Sequence, residues 1–402
     1  MKRNFIPYIL LVFIVILTNC CDRKKETAHP DLNQFIDENM QFAQQKVTYF
    51  LENLDVNQYP GSMDSVGNLV TLKPNNWQSG FLAGILWYLY EYTGKEKWKI
   101  FAQQWTAGLE LQKFNTTTHH LGFMLYSSFG HGYKLTQDEL YKDVLTIGAK
   151  TLVSRYDPDV GCVRSWDDWP GQDADFPVTI DGLLSNELLF YVFRLSGDSS
   201  LYNIALEHAT VTRTNHIRKD YNSYYCIDYD SETHEPEVIK TWAGYSKEST
   251  WSRGHARSFY GFAVTFRETG DPIFLEYARK TAEFYMEHPR LPEDLIPYWD
   301  FNDPDIPNAP RDASAAALAA SGLLELYSLL PAGEGEKYYQ FALKTLHSLS
   351  SSNYRNNPNE NLGFILKHST TSKARNLDVD KPKIAADYYF IEALMKVHKL
   401  KH

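Results

Sequence analysis

Apolar and polar positions along the chain alternate with a helical period over most of its length. Residues 81–98, 181–209 and 258–288 each start with an apolar half, break at a glycine and continue as a more amphipathic half. Residues 314–331 and 385–400 repeat the apolar half. Because glycine often ends a helix and a following aspartate can cap the next one, each break predicts a turn between two helices.

The two halves of this repeating unit require different surroundings. A helix that is apolar nearly all round must be buried on all sides, whereas an amphipathic helix leaves one face in water. About six such hairpins fit the length of the chain, and a ring of inner helices inside a sheath of outer ones satisfies both patterns. We therefore predict an all-α fold, an (α/α)6 barrel, with an open α-solenoid as the alternative. No linker-like stretch divides residues 31–402, which predicts a single barrel domain.

The first residues of the chain have the pattern of an export signal. Lys2 and Arg3 precede an apolar run from Phe5 to Leu17, which is short for a membrane span. We predict a lipoprotein signal peptide over residues 1–19, with a signal-anchor helix as the alternative.

The end of this run resembles a bacterial lipobox. It reads "LTNC", which makes Cys20 the predicted lipidated residue, with Cys21 as a second choice. Residues 20–30 would then form a tether. We therefore predict an exported lipoprotein, periplasmic or attached to the outer membrane, that contacts the membrane only through its N-terminal lipid.

Composition narrows the class of partner. The net charge is −10 and no basic run occurs beyond "DRKK", which argues against nucleic acid, because phosphate binding needs clustered Lys and Arg. The 9 Trp and 27 Tyr suit sugar rings, although helix packing explains many of them as well. Beyond the N-terminus only Cys162 and Cys226 remain; they could form a disulfide, but they have no metal-binding spacing.

Several predicted inner helices begin with polar and aromatic clusters that exceed what capping requires. In a closed ring all inner helices start at the same end, so these clusters would converge on one pocket. They are residues 75–81, 119–123, 179–182, 251–257, 310–314 and 385–389. The chain carries no Walker, G-x-S-x-G, H-E-x-x-H or dinucleotide-binding motif. The carboxylates, tryptophans and arginines of the clusters favour acid–base chemistry on carbohydrate.

Asp181 is the best single candidate for an acid. It starts a very apolar helix, where burial would favour the protonated form of a carboxyl near neutral pH. A plain helix N-cap is the alternative for this residue.

Six stretches of the chain together resemble the unsaturated glucuronyl hydrolases, glycoside hydrolase family 88. The likeness covers residues 31–400 and is carried by "NNWQSGFLAGILWYLYEYTG", "HHLGFML", "SWDDWPGQDADFPVTIDGLLSNELLF", "STWSRGHARSFYGFAVTFRETGD", "LPEDLIPYWDFNDPDIPNAPRDASAAALAASGLLEL" and "DYYFIEALM". The resemblance implies the same barrel and the release of 4,5-unsaturated uronic acid from acidic oligosaccharides made by lyases. An acid protonates C4, water adds at C5, and the resulting hemiketal opens. Neither a metal nor an organic cofactor is implied.

The resemblance also implies roles for individual residues. Asp181 matches the family's general acid/base, and His120 stands where the family has its second catalytic-site carboxylate. The other residues implied in substrate binding are Trp77, His119, Trp166, Tyr225, Arg253, His255, Arg257, Trp299 and Tyr388.

Several positions depart from the family pattern, and all of them belong to the expected pocket. His120 replaces an aspartate, Tyr225 a histidine and Ala243 a polar residue. In the motif that reads "RGHAR" here, His255 replaces a glutamine and Arg257 a tryptophan. The scaffold patterns are unchanged, so these departures concern the site and not the fold.

The change at position 120 alters the electrostatics expected around Asp181. A second carboxylate would favour the protonated acid, whereas a histidinium would favour the carboxylate and hinder protonation of C4. Three alternatives stay open: His120 is neutral and orients substrate, the acid role has moved, or the substrate differs. Arg257 suits a sulfate or a second carboxylate, with a salt bridge to a neighbouring acid as the alternative.

Two other function hypotheses remain beside the hydrolase. One is altered chemistry on another acidic or sulfated sugar, and the other is a glycan-binding lipoprotein without catalysis. The loop "HSTTSK", residues 368–373, is one residue short of a family pattern that holds a sulfate on the next sugar. A plain polar loop is the alternative.

Overall fold

The computed structural model describes residues 32–167, 174–238, 243–360 and 362–401. The predicted signal peptide, tether and lipidation site lie outside these residues. The described helices are α1 (Leu32–Asn53), α2 (Gly80–Thr93), α3 (Glu96–Ala107), α4 (His131–Thr136), α5 (Glu139–Val153), α6 (Gly182–Ser185), α7 (Glu187–Ser196), α8 (Ser199–His216), α9 (Ser252–Thr269), α10 (Pro272–Met286), α11 (Ala313–Ser328), α12 (Glu336–Leu349) and α13 (Ile384–Leu400). A 3-10 helix covers Glu110–Phe114 and a π-helical segment covers Gly122–Gly130.

The helices form two concentric layers. The inner layer contains α2, the π-helical segment with α4, α6 with α7, α9, α11 and α13, and these are buried on nearly all sides. The outer layer contains α1, α3, α5, α8, α10 and α12, which bury one face. Helix α13 packs against both α11 and α2, so the inner ring closes. The predicted (α/α)6 barrel is therefore confirmed, and the open solenoid is excluded.

The turns between inner and outer helices follow the sequence signals. Gly197 and Gly270 end inner helices with φ values of 75° and 69°, a left-handed conformation that glycine adopts without steric cost. The aspartates that follow cap the next outer helices: Asp198 accepts from the backbone N–H of Ser200, and Asp271 from that of Ile273. These turns set each inner helix antiparallel to its outer partner.

Short antiparallel strands occur in the connections between helices. They are β1 (Tyr59–Met63), β2 (Leu69–Leu72), β3 (Tyr156–Asp157), β4 (Cys162–Val163), β5 (Phe176–Thr179), β6 (Cys226–Tyr229) and β7 (Pro236–Val238). Strand β1 pairs with β2, β3 with β4, and β6 lies between β5 and β7. The helical periodicity predicted none of them, because they belong to connections between helices.

Two further expectations concern the thiols and the membrane. Cys162 and Cys226 are both buried and carry free thiols, so the possible disulfide between them is not formed. Among the helices that the structure describes, none combines the length and the apolar character that crossing a bilayer requires.

Candidate active site

A cavity of about 570 Å³ opens at the end of the barrel where the inner helices begin. Its walls come from the predicted clusters that precede α2, the π-helical segment, α6 and α9, and from hairpin β1–β2. The clusters at 310–314 and 385–389 do not line it. Convergence on one pocket is thus correct for four of the six clusters, and the cavity has the size of a small-ligand site.

Asp181 lies at the bottom of this cavity, between β5 and α6. Its side chain makes no capping hydrogen bond to the helix that it precedes, so the N-cap alternative is wrong. Its Oδ1 lies 2.7 Å from the guanidinium of Arg257, and both side chains are only 3% exposed. Its Oδ2 lies 3.5 Å from the hydroxyl of Tyr225. Asp181 is therefore a buried carboxylate that faces the cavity with a cation on one oxygen.

Arg257 is held by aromatic rings as well as by Asp181. Its guanidinium carbon lies 5.2 Å from the ring centre of Trp77 and 5.8 Å from that of Trp251, distances at which a cation is attracted to the ring face. Burial alone would lower the pKa of Arg257, but nearby acidic groups, Asp181 foremost, raise it overall. The residue thus remains charged in the pocket, and the salt bridge considered from the sequence is present.

His120 faces the cavity as a neutral imidazole. Burial, together with the positive charges of Arg257 and Arg155, lowers the pKa of His120 to about 3. Its Nδ1 lies 2.8 Å from the hydroxyl of Thr118, and its ring centre is 6.0 Å from that of Trp77. Of the three alternatives left open by the sequence, the structure supports a neutral His120 that can orient substrate.

The side chains of His119, His120 and Asp181 come close enough to consider a metal ion. One ligand atom from each lies within 4.8 Å of the others. Both histidines stand in a turn before the π-helical segment. However, Arg257 already occupies Asp181, and Arg155 adds a second positive charge felt by both histidines. A divalent cation would face two guanidinium groups, so we assign no metal to this cluster.

Seven predicted site residues share the cavity, namely Trp77, His120, Trp166, Asp181, Tyr225, Arg253 and Arg257. Ala243, one of the departures from the family pattern, also lines it. Arg253 is tightly held, because its Nε donates to Asp312 at 3.1 Å and its Nη2 to the carbonyl of Thr370 at 2.7 Å. The cluster at 310–314 therefore contributes indirectly, through Asp312.

Two predicted binding histidines lie outside the cavity. His119 is fully buried behind His120, with its Nδ1 3.3 Å from the hydroxyl of Ser165. His255 contacts the hydroxyl of Ser223 at 2.9 Å and the carbonyl of Thr281 at 3.0 Å. It precedes Arg257 by two positions on α9, which turns the two side chains about 200° apart. Neither histidine lines the cavity.

Two predicted aromatic contacts also fall elsewhere. Trp299 is fully buried, and its indole N–H donates to Asp303. Tyr388 bonds through its hydroxyl with His131 at 3.0 Å and with Glu392 at 3.2 Å, away from the residues that line the pocket. These side chains pack inside the barrel and do not line the cavity.

The structure adds pocket residues that the sequence analysis did not single out. Trp251 lines the cavity. It belongs to the cluster at residues 251–257, but the sequence analysis assigned no separate role to it. Lys383 and Asp378 form an ion pair on the outer wall, and Lys383 holds the pKa of Asp378 at about 2 against the opposing effect of burial. Nothing in the local sequence marks this pair or the hairpin opposite, because both come from distant parts of the chain.

The loop at 368–373 does not have the arrangement of a sulfate site. Lys373 pairs with Asp303 at 3.1 Å and with Asp305, and it is not part of the cavity wall. Thr371 lines the cavity, but its hydroxyl donates to Asp378 at 3.0 Å. The plain polar loop fits these contacts better than a sulfate-binding loop.

Comparison with known proteins gives consistent relatives. No family model matches the chain. An unsaturated glucuronyl hydrolase from Formosa agariphila is 43% identical over 346 residues, which is 86% of each chain. The crystal structure of an unsaturated glucuronyl hydrolase specific for heparin superposes with a TM-score of 0.88 at 37% identity, covering 92% of this chain and 98% of that one.

A third relative has been solved with a ligand. It is a mutant unsaturated glucuronyl hydrolase from Streptococcus agalactiae, complexed with dGlcA-GalNAc6S. It is 28% identical with a TM-score of 0.78, covering 90% of this chain and 91% of that one. The extent of these matches and the barrel with its buried Asp181 agree with the motifs recognised in the sequence. The chain belongs to the unsaturated glucuronyl hydrolases, a family of glycoside hydrolases.

Proposed function

We propose that this pocket hydrates the 4,5-double bond of an unsaturated uronyl residue at the end of an acidic oligosaccharide made by a lyase. The observation that carries the proposal is Asp181, a buried carboxyl at the bottom of a cavity with aromatic walls, next to the cation of Arg257. The names of the relatives and the ligand of the Streptococcus agalactiae structure support the same substrate class.

The proposed chemistry needs one proton donor and one water. Protonated Asp181 gives its proton to C4 of the double bond, and positive charge develops at C5. Water adds at C5 and returns a proton to the Asp181 carboxylate, so no net proton is consumed. The product hemiketal opens and releases the next sugar. A side chain that moves protons in this way supplies about 10²–10⁴ in rate.

The walls of the pocket suit an acidic sugar ring. Trp77, Trp166 and Trp251 offer flat apolar faces beside polar groups. The N-terminal ends of several inner helices point at the cavity, and their dipoles favour an anion. Arg257 is the cation that can pair with the sugar carboxylate, because its Nε is buried without a hydrogen-bond partner, whereas Arg253 is held by both Asp312 and the carbonyl of Thr370. The ion pair of Asp378 with Lys383 on the outer wall would face the next sugar.

The Asp181→Asn variant tests this assignment. The change preserves size and hydrogen bonding but removes the transferable proton, so we expect a loss of at least about two orders of magnitude in rate with the fold intact. The measurement is the decay of the ultraviolet absorbance of the conjugated double bond on mixing with unsaturated uronyl disaccharides. Circular dichroism and thermal unfolding check the fold.

The same experiment separates the hydrolase from a glycan-binding lipoprotein. A parent protein that binds the disaccharides without any decay of absorbance supports the binding protein. The matched control is His255→Gln, which restores the family residue at a buried position outside the pocket and should keep most of the activity. Near-parental activity of the Asp181→Asn variant would refute the role of Asp181.

We also propose that the protein is exported and lipidated at Cys20, on the basis of the "LTNC" sequence after an apolar run. Cys20→Ala should abolish incorporation of a labelled fatty acid and release the protein from membranes, while Cys21→Ala should not. Labelling that survives in the Cys20→Ala variant and is lost in the Cys21→Ala variant would move the site to Cys21.

A further inference from the structure

The charged side chains of the described pocket wall form three ion pairs. Arg257 pairs with Asp181, and Lys383 with Asp378. Arg253 pairs with Asp312 directly behind the wall. His120 adds no charge, because burial lowers its pKa to about 3. The pocket is thus neutral at rest, and a bound uronate adds one negative charge to it.

The three pairs differ in how firmly their carboxylates are held. Asp312 also accepts the backbone N–H and the hydroxyl of Ser314 at 3.1 and 2.6 Å. Asp378 also accepts the hydroxyls of Ser62 and Thr371, each at 3.0 Å. These additional bonds hold both carboxylates in place.

Asp181 is held much more loosely than these two carboxylates. Beyond Arg257, its described contact is the Tyr225 hydroxyl at the long distance of 3.5 Å. The Nε of Arg257 is buried without a hydrogen-bond partner. Of the three ion pairs, an incoming carboxylate can therefore break the Arg257–Asp181 pair at the smallest cost in free energy. The guanidinium released from Asp181 can then bind the new carboxylate in a bidentate way.

We propose that the carboxylate of the bound uronate takes Arg257 away from Asp181, and that Asp181 then takes up one proton from solvent. In the resting enzyme Arg257 stabilises ionised Asp181; in the complex the substrate supplies both the new partner of Arg257 and a negative charge close to Asp181. The acid is thereby formed only when an anionic substrate is present. This inference rests on the proposed function and makes Arg257 a positioning and specificity residue.

The proton balance closes over one turnover. Asp181 gains a proton from solvent on binding, gives it to C4, and regains one from the attacking water. When the product leaves, Arg257 pairs with Asp181 again and the proton returns to solvent. His120 is neutral and brings no negative charge to Asp181, so the carboxylate of the substrate supplies that charge.

The groups that face Asp181 leave it as the acceptor of this proton. Burial lowers the pKa values of the facing histidines and raises those of the facing tyrosines and the thiol, so none of them changes protonation between about pH 5 and pH 8. These groups, besides Arg257, are His119, His120, Tyr225, Cys226 and Tyr389.

Calorimetry with an inert ligand tests the inference without relying on catalysis. Methyl β-glucuronide carries the carboxylate but no double bond, so it can bind but cannot be hydrated. Its binding heat is measured at pH 7.5 in buffers of different ionisation enthalpy, which gives the number of protons taken up. We expect uptake approaching about one proton per bound glucuronide for the parent, and none for the neutral methyl β-glucoside.

Variants identify the group that takes the proton. Asp181→Asn should bind the glucuronide without proton uptake, because Arg257 is already free and no acid remains. Asp294→Asn changes a carboxylate outside the pocket, which pairs with Arg311, and should leave the uptake unchanged. Arg257→Gln should weaken glucuronide binding by about tenfold or more, as expected for a buried charge-assisted pair, and should leave binding of the glucoside nearly the same.

The outcomes separate this inference from the proposed function. Glucuronide that fails to bind the parent, binding without proton uptake, or uptake that persists in Asp181→Asn overturns the inference, even if the parent hydrates unsaturated disaccharides. Uptake that depends on Asp181 in a protein that never consumes the double bond would sustain the inference about Arg257 and reject the hydrolase.

Discussion

At the scale of single residues, two positions of the pocket differ in charge from what the family resemblance implied. The neutral His120 and the charged Arg257 stand where that resemblance implied an aspartate and a tryptophan. Each change makes the surroundings of Asp181 more positive by about one charge. The pocket therefore favours an anionic ligand more strongly than the family pattern would, and it relies on that ligand to restore the charge balance.

The neutral state of His120 leads to a prediction about pH dependence. With a pKa of about 3, His120 carries no charge between pH 5 and pH 8. His120→Gln keeps a neutral hydrogen-bonding side chain, so the pH at which kcat/KM falls on the acid side of its pH profile should not change, while kcat falls moderately. His120→Asp introduces a carboxylate and should shift that pH. A shift of about one pH unit in His120→Gln would show that the imidazole titrates in the working range.

At the scale of secondary structure elements, a close contact between the π-helical segment and α6 sets the site. A Cβ atom on Gly122 would lie 2.1 Å from the backbone oxygen of Ser185, so only glycine permits this approach. The amide of Gly122 donates to the Ser185 hydroxyl at 3.2 Å, and that hydroxyl bonds to the carbonyl of His119. The contact thus fixes the turn with His120 next to the start of the helix with Asp181.

We expect Gly122→Ala to impair stability and catalysis together. The backbone of α6 must move to admit the methyl group, which should cost about 1–3 kcal/mol of unfolding free energy and lower kcat by displacing His120 from Asp181. The matched control is Gly197→Ala at an open helix end, where nothing lies within 4 Å. It should cost about 1–2 kcal/mol through its positive φ and leave kcat unchanged. Denaturant unfolding and steady-state kinetics measure both; equal kcat losses would contradict the role of the contact.

At the scale of the whole molecule, the barrel buries many uncharged histidines. Burial lowers their pKa values, to about 3 for His120 and His208 and to about 4 for His216 and His255. The unfolded chain would protonate the same side chains near pH 6.5. The stability they contribute is therefore complete above about pH 6.5 and is lost as the pH falls towards the folded values.

The melting temperature should fall markedly between pH 7.5 and pH 5. Each such histidine can remove up to about 1.4 kcal/mol per pH unit once the unfolded state is protonated. Asp387, whose pKa burial raises to about 8, acts in the opposite sense, as do Asp228 and Asp300, whose pKa values burial also raises. The histidines with lowered pKa values outnumber these three carboxyls. His255→Gln should flatten the dependence measurably, since it removes one buried histidine outside the pocket. A melting temperature independent of pH over this range would contradict the argument.

The periodicity of the chain was sufficient for the helices and for their division into inner and outer layers, because burial on all sides or on one side leaves a direct mark on side-chain polarity. Asp181, Trp77 and Arg253 could be placed at the pocket in the same way, since residues at the start of an inner helix must lie at one end of the ring. The motifs that resemble the family supplied Tyr225, Trp166 and the positions of the departures.

Contacts between distant segments of the chain determined the charge states in the pocket and which side chains reach the cavity. The pairing of Arg257 with Asp181 joins α9 to the start of α6, and the neutral state of His120 depends on burial and on that same guanidinium. His255 and Arg257 are two residues apart and share a motif, yet one packs into the barrel wall and the other faces the cavity. A linear pattern records which residues are near each other in the chain, whereas charge state and access to substrate follow from what the folded chain places around each side chain.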